Sequence, residues 1–225
     1  MDKVYILMGP PGCGKGTQTA NIVKELGLPH IDTGSLLRKN VKEETPFGLE
    51  AKSYMDKGQL VPIEVVANII KDRLQADDCK AGYVLDGFPR NLEQAKALEG
   101  IQADLGYDTQ NVAIYFDIPT TTLIERLVNR RYCPTCGAIF NLLSKKPQVD
   151  GVCDVCKGAI VQRSDDNEET AKLRFVTYEN ETKPLLGYFE EKNILNKINA
   201  NASLEEVWAQ IKEIISWLQE KIEKK

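Results

Sequence analysis

The sequence lacks several features that other classes of protein need. It contains a single histidine, His30, which argues against catalytic sets built on histidine, and we interpret this residue as structural. No apolar run approaches the roughly 20 residues that cross a bilayer, so no membrane partner is expected. The formal net charge is −4, which does not favour nucleic acid. No small-residue cleavage site follows the first apolar run, so we expect no signal peptide and a cytoplasmic protein.

Short apolar runs alternate with helical stretches along most of the chain. The runs, each a candidate strand, are residues 4–8, 29–31, 83–85, 112–116 and 194–198. This alternation is typical of a parallel sheet flanked by helices, so we predict an α/β fold with five parallel strands. Near the C-terminus, Ser203 and Glu206 have the spacing of a capping box at the start of a long helix.

Two stretches interrupt the alternation and are predicted to be insertions. Residues 34–71 have a helical pattern throughout, with breaks at Pro46 and Pro62. Residues 132–161 are rich in cysteine, glycine and proline, with short apolar pairs, and are predicted to form a small β-rich module. Both would be additions to the central sheet.

A glycine-rich segment, residues 9–17, follows the first apolar run and leads into a helix. Glycines allow the backbone N–H groups to surround an oxyanion at a helix N-terminus, and Lys15 would reach the outer phosphates. The usual hydroxyl residue after the lysine is displaced to Thr17 because Gly16 intervenes. The pattern predicts a phosphate-binding loop; the alternative is a tight turn without chemical function.

A second segment, residues 83–90, ends an apolar run with Asp86, a glycine turn and Arg90. In phosphate-loop enzymes an acid at a neighbouring strand end holds Mg²⁺, directly or through water. Arginine can bind a phosphate through two nitrogens. We therefore predict that Asp86 holds Mg²⁺ through water and that Arg90 binds phosphate. In the alternative, the two side chains pair with each other at the surface.

Four further arginines are candidates for anion binding: Arg126, Arg130, Arg163 and Arg174. Residues 120–131 look helical, which would put Arg126 and Arg130 on one face, with Glu125 and Glu169 as available acid partners. Phosphoryl transfer depends on positioning and positive charge, and convergent arginines supply both. Each arginine could instead be a solvated surface charge.

Six cysteines are present, and four form two C-x-x-C pairs: Cys133, Cys136, Cys153 and Cys156. Two such turns present four thiolates, which is the ligand set of a structural Zn²⁺ site. The β-rich module is too small to bury a good core, so the metal would stabilise it. A redox pair is the alternative, and iron also binds thiolate sets of this kind.

Together these motifs resemble adenylate kinases of the long, zinc-containing bacterial type, in the nucleoside-monophosphate kinase family. The resemblance spans the whole chain and rests on residues 9–18, residues 32–34 with Arg38, residues 59–62, residues 86–90 with Gln94, and the four arginines above. It implies reversible, Mg²⁺-dependent transfer of a phosphoryl group, ATP + AMP = 2 ADP. It also implies a monomer.

The resemblance assigns residues to each substrate. The ATP site would comprise Gly12, Cys13, Gly14, Lys15, Gly16, Thr17, Arg126, Arg130, Ile139, Phe140 and Ala202. The AMP site would comprise Thr33, Arg38, Gln59, Leu60, Val61, Gly87, Phe88, Pro89, Arg90, Gln94, Arg163 and Arg174. The catalytic set would be Lys15, Arg90, Arg126, Arg130, Arg163 and Arg174. Gln94 would choose the base, because an amide can both donate to and accept from an adenine edge.

The resemblance also implies a division into mobile parts. A core of residues 1–31, 62–128 and 163–225 would carry an AMP-binding insertion, residues 32–61, and a zinc-binding lid, residues 129–162. Both would close to exclude water. The sequence departs from the family in two places. Ser35 stands where the family has aspartate, and residues 199–202 replace a glycine-containing loop, so Ala202 would act through its backbone.

Two rival functions remain open at this stage. One is a kinase for UMP, CMP or GMP, or one that uses GTP as donor; Gln94 and the long lid argue against other acceptors. The other is a zinc-containing regulator that binds ATP without chemistry. A second anion site, built from Arg38, Arg90 and Arg163, separates the enzyme from the regulator, because a sensor of ATP needs only the phosphate loop.

Overall fold

The computed structural model describes residues 2–223, apart from the side chains of residues 2, 122 and 221–223. The predicted core ranges also reach residues 1, 224 and 225, which lie outside the described residues. The strands are β1 Asp2–Met8, β2 His30–Asp32, β3 Gly82–Asp86, β4 Thr109–Asp117, β5 Arg130–Tyr132, β6 Ile139–Asn141 and β7 Leu195–Asn199. The helices are α1 Lys15–Leu26, α2 Thr33–Lys42, α3 Pro46–Met55, α4 Ile63–Leu74, α5 Leu92–Asp104, α6 Leu123–Val128, α7 Glu168–Thr177, α8 Leu185–Glu191 and α9 Leu204–Glu223.

Five of the strands form one parallel sheet in the order β2-β3-β1-β4-β7, which confirms the predicted fold. Strand β1 is central because its continuous apolar run can be buried on both faces. On one face Val4, Ile6 and Met8 pack with residues of α4 and α5. On the other, Tyr5 and Leu7 pack with residues of α1 and α9. The strand that leads into the phosphate loop is thus held from both sides.

The helical insertion forms where the sequence predicts it. Helix α3 begins with Pro46, whose missing N–H costs nothing in the first turn, and the hydroxyl of Thr45 accepts a hydrogen bond from the Gly48 amide at 3.0 Å. Helices α2 and α3 cross closely at Gly48, where an added Cβ would lie 2.1 Å from the carbonyl oxygen of Asn40. Helix α4 follows directly after Pro62.

The cysteine-rich segment forms a small β module, as predicted. Strands β5 and β6 pair antiparallel. Where the chain enters and leaves the module, the backbones of Tyr132 and Val161 exchange two hydrogen bonds of 2.9 Å. Its buried side chains, Cys133, Cys153 and Phe140, form a cluster separate from the two cores beside the sheet.

The predicted helix over residues 120–131 is wrong at its C-terminal end. Helix α6 ends at Val128, and Arg130 begins strand β5, so Arg126 and Arg130 do not share one helical face. The physical reason is strand pairing. Arg130 pairs with Asn141 in the β5–β6 ladder, and this tertiary contact overrides the local helical preference.

The last helix begins with the predicted capping box. The Ser203 amide donates to Glu206 Oε2 at 2.9 Å, and the Glu206 amide donates to Ser203 Oγ at 3.2 Å. This helix packs on the sheet through Val207, Ile211 and Ile215. None of the described helices has the length and apolar character needed to cross a membrane.

Candidate functional site

A cavity of about 1510 Å³ opens at the C-terminal edge of the parallel sheet, where β1, β2 and β3 end. Nearly all the residues predicted to bind nucleotides line it: Gly12, Cys13, Gly14, Lys15, Gly16, Thr17, Thr33, Arg38, Gln59, Leu60, Val61, Gly87, Pro89, Arg90, Gln94, Arg126, Arg130, Ile139, Phe140, Arg163, Arg174 and Ala202. Phe88 is the exception, since its side chain is 1% exposed and lies in the core. Only its backbone is available to a ligand.

The phosphate loop joins β1 to α1 and has the shape expected for anion binding. Gly12 and Gly14 have φ angles of 83° and 104°, which side-chain-bearing residues rarely adopt. Helix α1 has no side-chain cap, and the amides of Lys15 and Gly16 in its first turn have no acceptor among the described residues. The Lys15 ammonium donates to the carbonyl of Gly9 at 2.6 Å and lies 3.4 Å from Cys13 Sγ. A loop of this kind offers N–H groups and one cation to phosphates.

Asp86 lies at the end of β3, and its carboxylate receives no hydrogen bond from the described residues. Burial raises its pKa, the Lys15 charge opposes this, and the Asp32 carboxylate adds to the rise. Arg90 does not pair with it, because Arg90 Nε donates to the carbonyl of Gly87 at 2.9 Å. A half-buried carboxylate without a hydrogen-bonding partner has oxygen atoms free for a cation.

Gln94 lies in the first turn of α5 and is 3% exposed, with its side-chain oxygen held by a backbone amide. Its Oε1 accepts a hydrogen bond of 2.8 Å from the amide of Arg90, and its own amide donates to Asn91 Oδ1 at 2.9 Å. The Nε2 group makes no hydrogen bond among the described residues. The hydroxyl of Thr33, which also lines the cavity, is buried and likewise unpartnered. Both groups are available to a ligand.

Arg130 and Arg174 converge on a carboxylate that the sequence analysis did not select. Asp166 has no exposed surface, and Arg130 binds both of its oxygens. Arg174 Nη1 donates to Asp166 at 3.1 Å and to Asp165 at 3.0 Å. Glu125 and Glu169, named above as available acids, make no hydrogen bond or ion pair with Arg130 among the described residues.

Arg163 and Arg126 complete the set of arginines. The Arg163 guanidinium lies 5.1 Å from the centre of the Tyr132 ring, and its Nε is buried without a partner. Burial, followed by the charges of Arg130 and Arg38, lowers the Arg163 pKa to about 10. Arg126 lines the cavity, and its side chain makes no hydrogen bond among the described residues. The acids of the site therefore pair with only some of its arginines, and the remaining positive charge is available to anions.

The β module meets the phosphate loop directly. A Cβ added at Gly16 would lie 2.7 Å from Ile139 Cδ1. Glycine after the lysine therefore leaves room for this side chain. The same β strand carries Phe140, which also lines the cavity.

The four paired cysteines form a cluster that could hold a metal ion. Their sulfur atoms all lie within 4.8 Å of one another, with Cys133 and Cys156 3.4 Å apart and Cys136 and Cys153 3.6 Å apart. These distances are near the roughly 3.8 Å edge of a tetrahedron with Zn–S bonds of about 2.3 Å. The backbone N–H of Cys136 is the main cause that lowers the Cys133 pKa to about 6. The pKa of Cys153 is likewise lowered, chiefly by the backbone N–H of Cys156, whereas the pKa values of Cys136 and Cys156 are raised.

The acids that organise the site are its least predictable members. Asp32, Asp165 and Asp166 each contact a predicted anion-binding arginine. The sequence shows Asp165 and Asp166 only as an acidic helix start. A usable signal was the cap at Asn167, whose side chain accepts from the Thr170 amide at 2.9 Å. With the cap supplied by Asn167, the two preceding acids are free for the arginines.

Comparison with known proteins agrees with this geometry. A family model described as "Adenylate kinase" matches residues 7–194. The chain belongs to the adenylate kinase family. The adenylate kinase of Clostridium perfringens strain SM101 is 46% identical over 210 residues, which cover 93% of this chain and 97% of the relative. That of Geobacillus sp. strain WCH70 is 48% identical over 214 residues, covering 95% and 99%. Members of the adenylate kinase family are phosphotransferases, and so is this chain.

Proposed function

We propose that this chain catalyses the reversible transfer ATP + AMP = 2 ADP. The observation that carries the proposal is the presence of two cationic sites in one cavity. One is the phosphate loop with Lys15, and the other contains Arg38, Arg90 and Arg163. Two anions can therefore meet, which a regulator that only senses ATP does not need.

On the ATP side, the phosphate loop would hold the triphosphate through its backbone amides and Lys15. Arg126 and Arg130 line the same cavity. Ile139 and Phe140 would cover the nucleotide, and Ala202 would contact the adenine through its backbone. The remaining members of this proposed site are Gly12, Cys13, Gly14, Gly16 and Thr17.

On the AMP side, Gln94 supports adenine as the acceptor base. Its Oε1 is held by the Arg90 amide, which directs Nε2 toward the cavity as a donor. Adenine offers an acceptor nitrogen at N1, whereas guanine has an N–H there, and a site built to donate rejects the wrong partner. The unpartnered Thr33 hydroxyl would meet a polar group of the same nucleotide. The other proposed members are Arg38, Gln59, Leu60, Val61, Gly87, Phe88, Pro89, Arg90, Arg163 and Arg174.

Transfer would proceed in line between the two bound nucleotides, with charge spreading over the transferred oxygens. Lys15, Arg90, Arg126, Arg130, Arg163 and Arg174 would stabilise that charge. Asp165 and Asp166 hold two of these arginines in place before substrate arrives, so little reorganisation is needed. The part of each guanidinium that is not bound to an acid remains for phosphate.

Mg²⁺ fits at Asp86, whose half-buried carboxylate lacks a hydrogen-bond donor among the described residues. Its burial raises its pKa, and a nearby cation would favour the charged form. When bound with ATP, Mg²⁺ neutralises part of the phosphate charge. Asp86 would hold the ion through water.

A structural Zn²⁺ fits the four cysteines because their sulfurs already have near-tetrahedral separations. The module that carries them buries only three side chains in its own cluster, so the metal would supply much of its stability. Iron and a redox pair are the competing occupants or states of this cluster.

The proposed organisation comprises the core (residues 1–31, 62–128 and 163–225), an AMP-binding insertion (residues 32–61) and a lid (residues 129–162). Closure of insertion and lid would exclude water, so that AMP rather than water accepts the phosphoryl group. We also propose a cytoplasmic monomer whose partners are ATP, AMP and ADP, without nucleic acid or membrane.

The test is a coupled assay of purified, metal-replete protein with Mg²⁺ and ATP, in which AMP, UMP, CMP and GMP are offered in turn. Rapid formation of ADP with AMP alone supports the proposal. Turnover of another monophosphate instead would overturn the choice of acceptor but keep the chemistry. Protein that binds ATP and turns over none of them would be a regulator. Replacing ATP by GTP in the same assay tests the donor.

A further inference from the structure

Three polar side chains lie along the start of helix α2 at intervals of three residues: Asp32, Ser35 and Arg38. We call them the α2 cluster. The Ser35 hydroxyl donates to Asp32 Oδ2. Arg38 Nη2 donates to Ser35 Oγ at 3.1 Å and reaches Asp32 Oδ2 at 3.5 Å. A hydroxyl has one donor and two acceptor positions, so Ser35 can link the acid to the arginine.

The Asp32 carboxylate is not used in the way its position suggests. Asp32 occupies the N-cap of α2, where an acid ordinarily accepts a hydrogen bond from a helix amide, but it makes no such bond. It lies instead along the helix beside Arg38. Gly34 leaves the space for this contact, because an added Cβ would lie 3.0 Å from Arg38 Nη1 and 3.2 Å from Asp32 Oδ1.

Arg38 is held at one nitrogen only. Its described hydrogen bonds all use Nη2, and Nε and Nη1 make none among the described residues. The side chain lines the cavity beside the unpartnered Thr33 hydroxyl and the unpartnered Arg163 Nε. A guanidinium fixed at one corner keeps two other donors for an anion.

The charge of Asp32 suits this arrangement. Burial acts to raise its pKa, but the Arg38 charge, the Ser35 hydrogen bond and the charges of His30 and Arg163 outweigh burial and lower it overall. The carboxylate is therefore ionised at neutral pH. It offsets the mutual repulsion of Arg38 and Arg163, which would otherwise push the two arginines apart.

We propose that Asp32 and Ser35 are positioning residues that hold Arg38 by Nη2, so that its free donors bind the AMP phosphate. This inference rests on the proposed function. Because positions 32 and 35 both face Arg38, a carboxylate at either one should hold the guanidinium. The α2 cluster would then determine the affinity for AMP and have no effect on the affinity for ATP.

The experiment compares Asp32→Ser, the exchanged double variant Asp32→Ser/Ser35→Asp, and Ser35→Ala with the parent protein. The readouts are the KM for AMP, the KM for ATP, kcat, and the Kd of AMP alone by calorimetry. Asp32→Ser should raise the KM and Kd for AMP about tenfold, the scale of a hydrogen bond to a charged group. The KM for ATP should stay unchanged, and kcat should fall less than the KM for AMP rises. The exchanged variant should recover AMP binding to within about threefold, which a purely structural role for Asp32 would not allow.

Lys52→Ala is the matched control, since it breaks an exposed ion pair with Asp56 in the same insertion. Folding is checked by circular dichroism. If Asp32→Ser does not fold, the AMP affinities of Ser35→Ala and Ser35→Thr are compared instead. Position 35 is exposed and tolerates change, and only threonine keeps the hydroxyl that links Asp32 to Arg38.

Unchanged AMP binding in both Asp32→Ser and Ser35→Ala would overturn the inference, as would an exchanged variant that folds but stays as impaired as Asp32→Ser. Parent protein that binds AMP without forming ADP would overturn the proposed function alone, since calorimetry still decides the positioning role. Parent protein that neither binds nor converts AMP would overturn both.

Discussion

The guanidinium of Arg130 is bound to the carboxylate of Asp166, 36 residues further along the chain, through Nε at 2.7 Å and through Nη2. The pair links the entrance of the β module to the residues just before α7. Asp166 is wholly buried, whereas the Arg130 side chain is 15% exposed. A single buried carboxylate is therefore shared by the module, through Arg130, and by α7, through Arg174.

Asp166→Asn is expected to lower both stability and activity. It leaves Arg130 and Arg174 with a neutral partner in a largely buried place, and breaking a buried pair in this way costs about 3 kcal/mol in the free energy of unfolding. Urea denaturation measures that loss, and the coupled assay should show a fall in kcat. Glu168→Gln is the matched control because it removes an exposed ion pair with Lys172, and it should change neither quantity. Equal stability of the Asp166 variant and the control would contradict the assignment.

The stability contributed by Asp165 should depend on pH. Burial acts to raise its pKa, but the charges of Arg174 and other arginines outweigh burial and lower it below the ordinary value of 3.8. A carboxylate whose folded pKa is lowered stabilises the protein fully above the unfolded value, and this stabilisation disappears as pH falls through the folded value. Asp165→Asn should therefore cost about 2 kcal/mol at pH 7 and progressively less below about pH 4.

Urea denaturation at a series of pH values from 7 to 3 measures this difference between parent and variant. Asp104→Asn, which affects an exposed pair with Lys71, serves as control and should show no gap at any pH. A gap for Asp165→Asn that stays constant down to pH 3 would show that the carboxylate charge is not what stabilises the fold.

Gln94→Ala should weaken AMP binding and relax the choice of base. The variant loses the Nε2 donor toward the base and the Oε1 acceptor that holds the Arg90 amide. We expect the KM for AMP to rise roughly ten- to hundredfold, with the KM for ATP unchanged. The ratio of kcat/KM for AMP over GMP should fall. Lys96→Ala, exposed on the same helix, is the control, and an unaltered AMP-to-GMP ratio in Gln94→Ala would remove Gln94 from the proposed base site.

Metal analysis by mass spectrometry is expected to find one zinc per chain in the parent protein and none in Cys153→Ser. Without the metal, the module should become sensitive to protease and the KM for ATP should rise, because the module contacts the phosphate loop at Gly16. Calorimetric binding of AMP should persist. Asp150→Asn changes an exposed acid in the same module and should retain zinc. Stoichiometric iron in freshly purified protein would point to the alternative occupant.

The sequence was most informative where a local pattern determines structure. The run at residues 4–8, the loop glycines and the Ser203–Glu206 box each specify a conformation through near neighbours, and all formed as predicted. The two C-x-x-C pairs belong to the same class, because each turn brings its own two sulfurs together.

The prediction failed where the conformation of a residue depends on a partner that is distant in the sequence. Nothing between residues 120 and 131 breaks a helix, yet pairing with Asn141 pulls Arg130 into a strand. For the same reason the sequence did not point to Asp166 as the partner of Arg130, since only the fold brings these two residues together. The role of Asp32 was likewise not predicted, because its carboxylate contacts Arg38, six residues further along the chain, only once α2 has formed.

The two hydrogen bonds between Tyr132 and Val161 make the neck of the β module narrow. The 28 residues between them form most of the module, which also contacts the rest of the protein through Ile139 at Gly16 and through Asn141 at the Arg126 carbonyl. Chimeras joined at Tyr132 and Val161 would place modules with or without cysteines on the same core. The thermal stability and the metal dependence of the protein could then be changed through the module alone, without altering the residues of the phosphate loop.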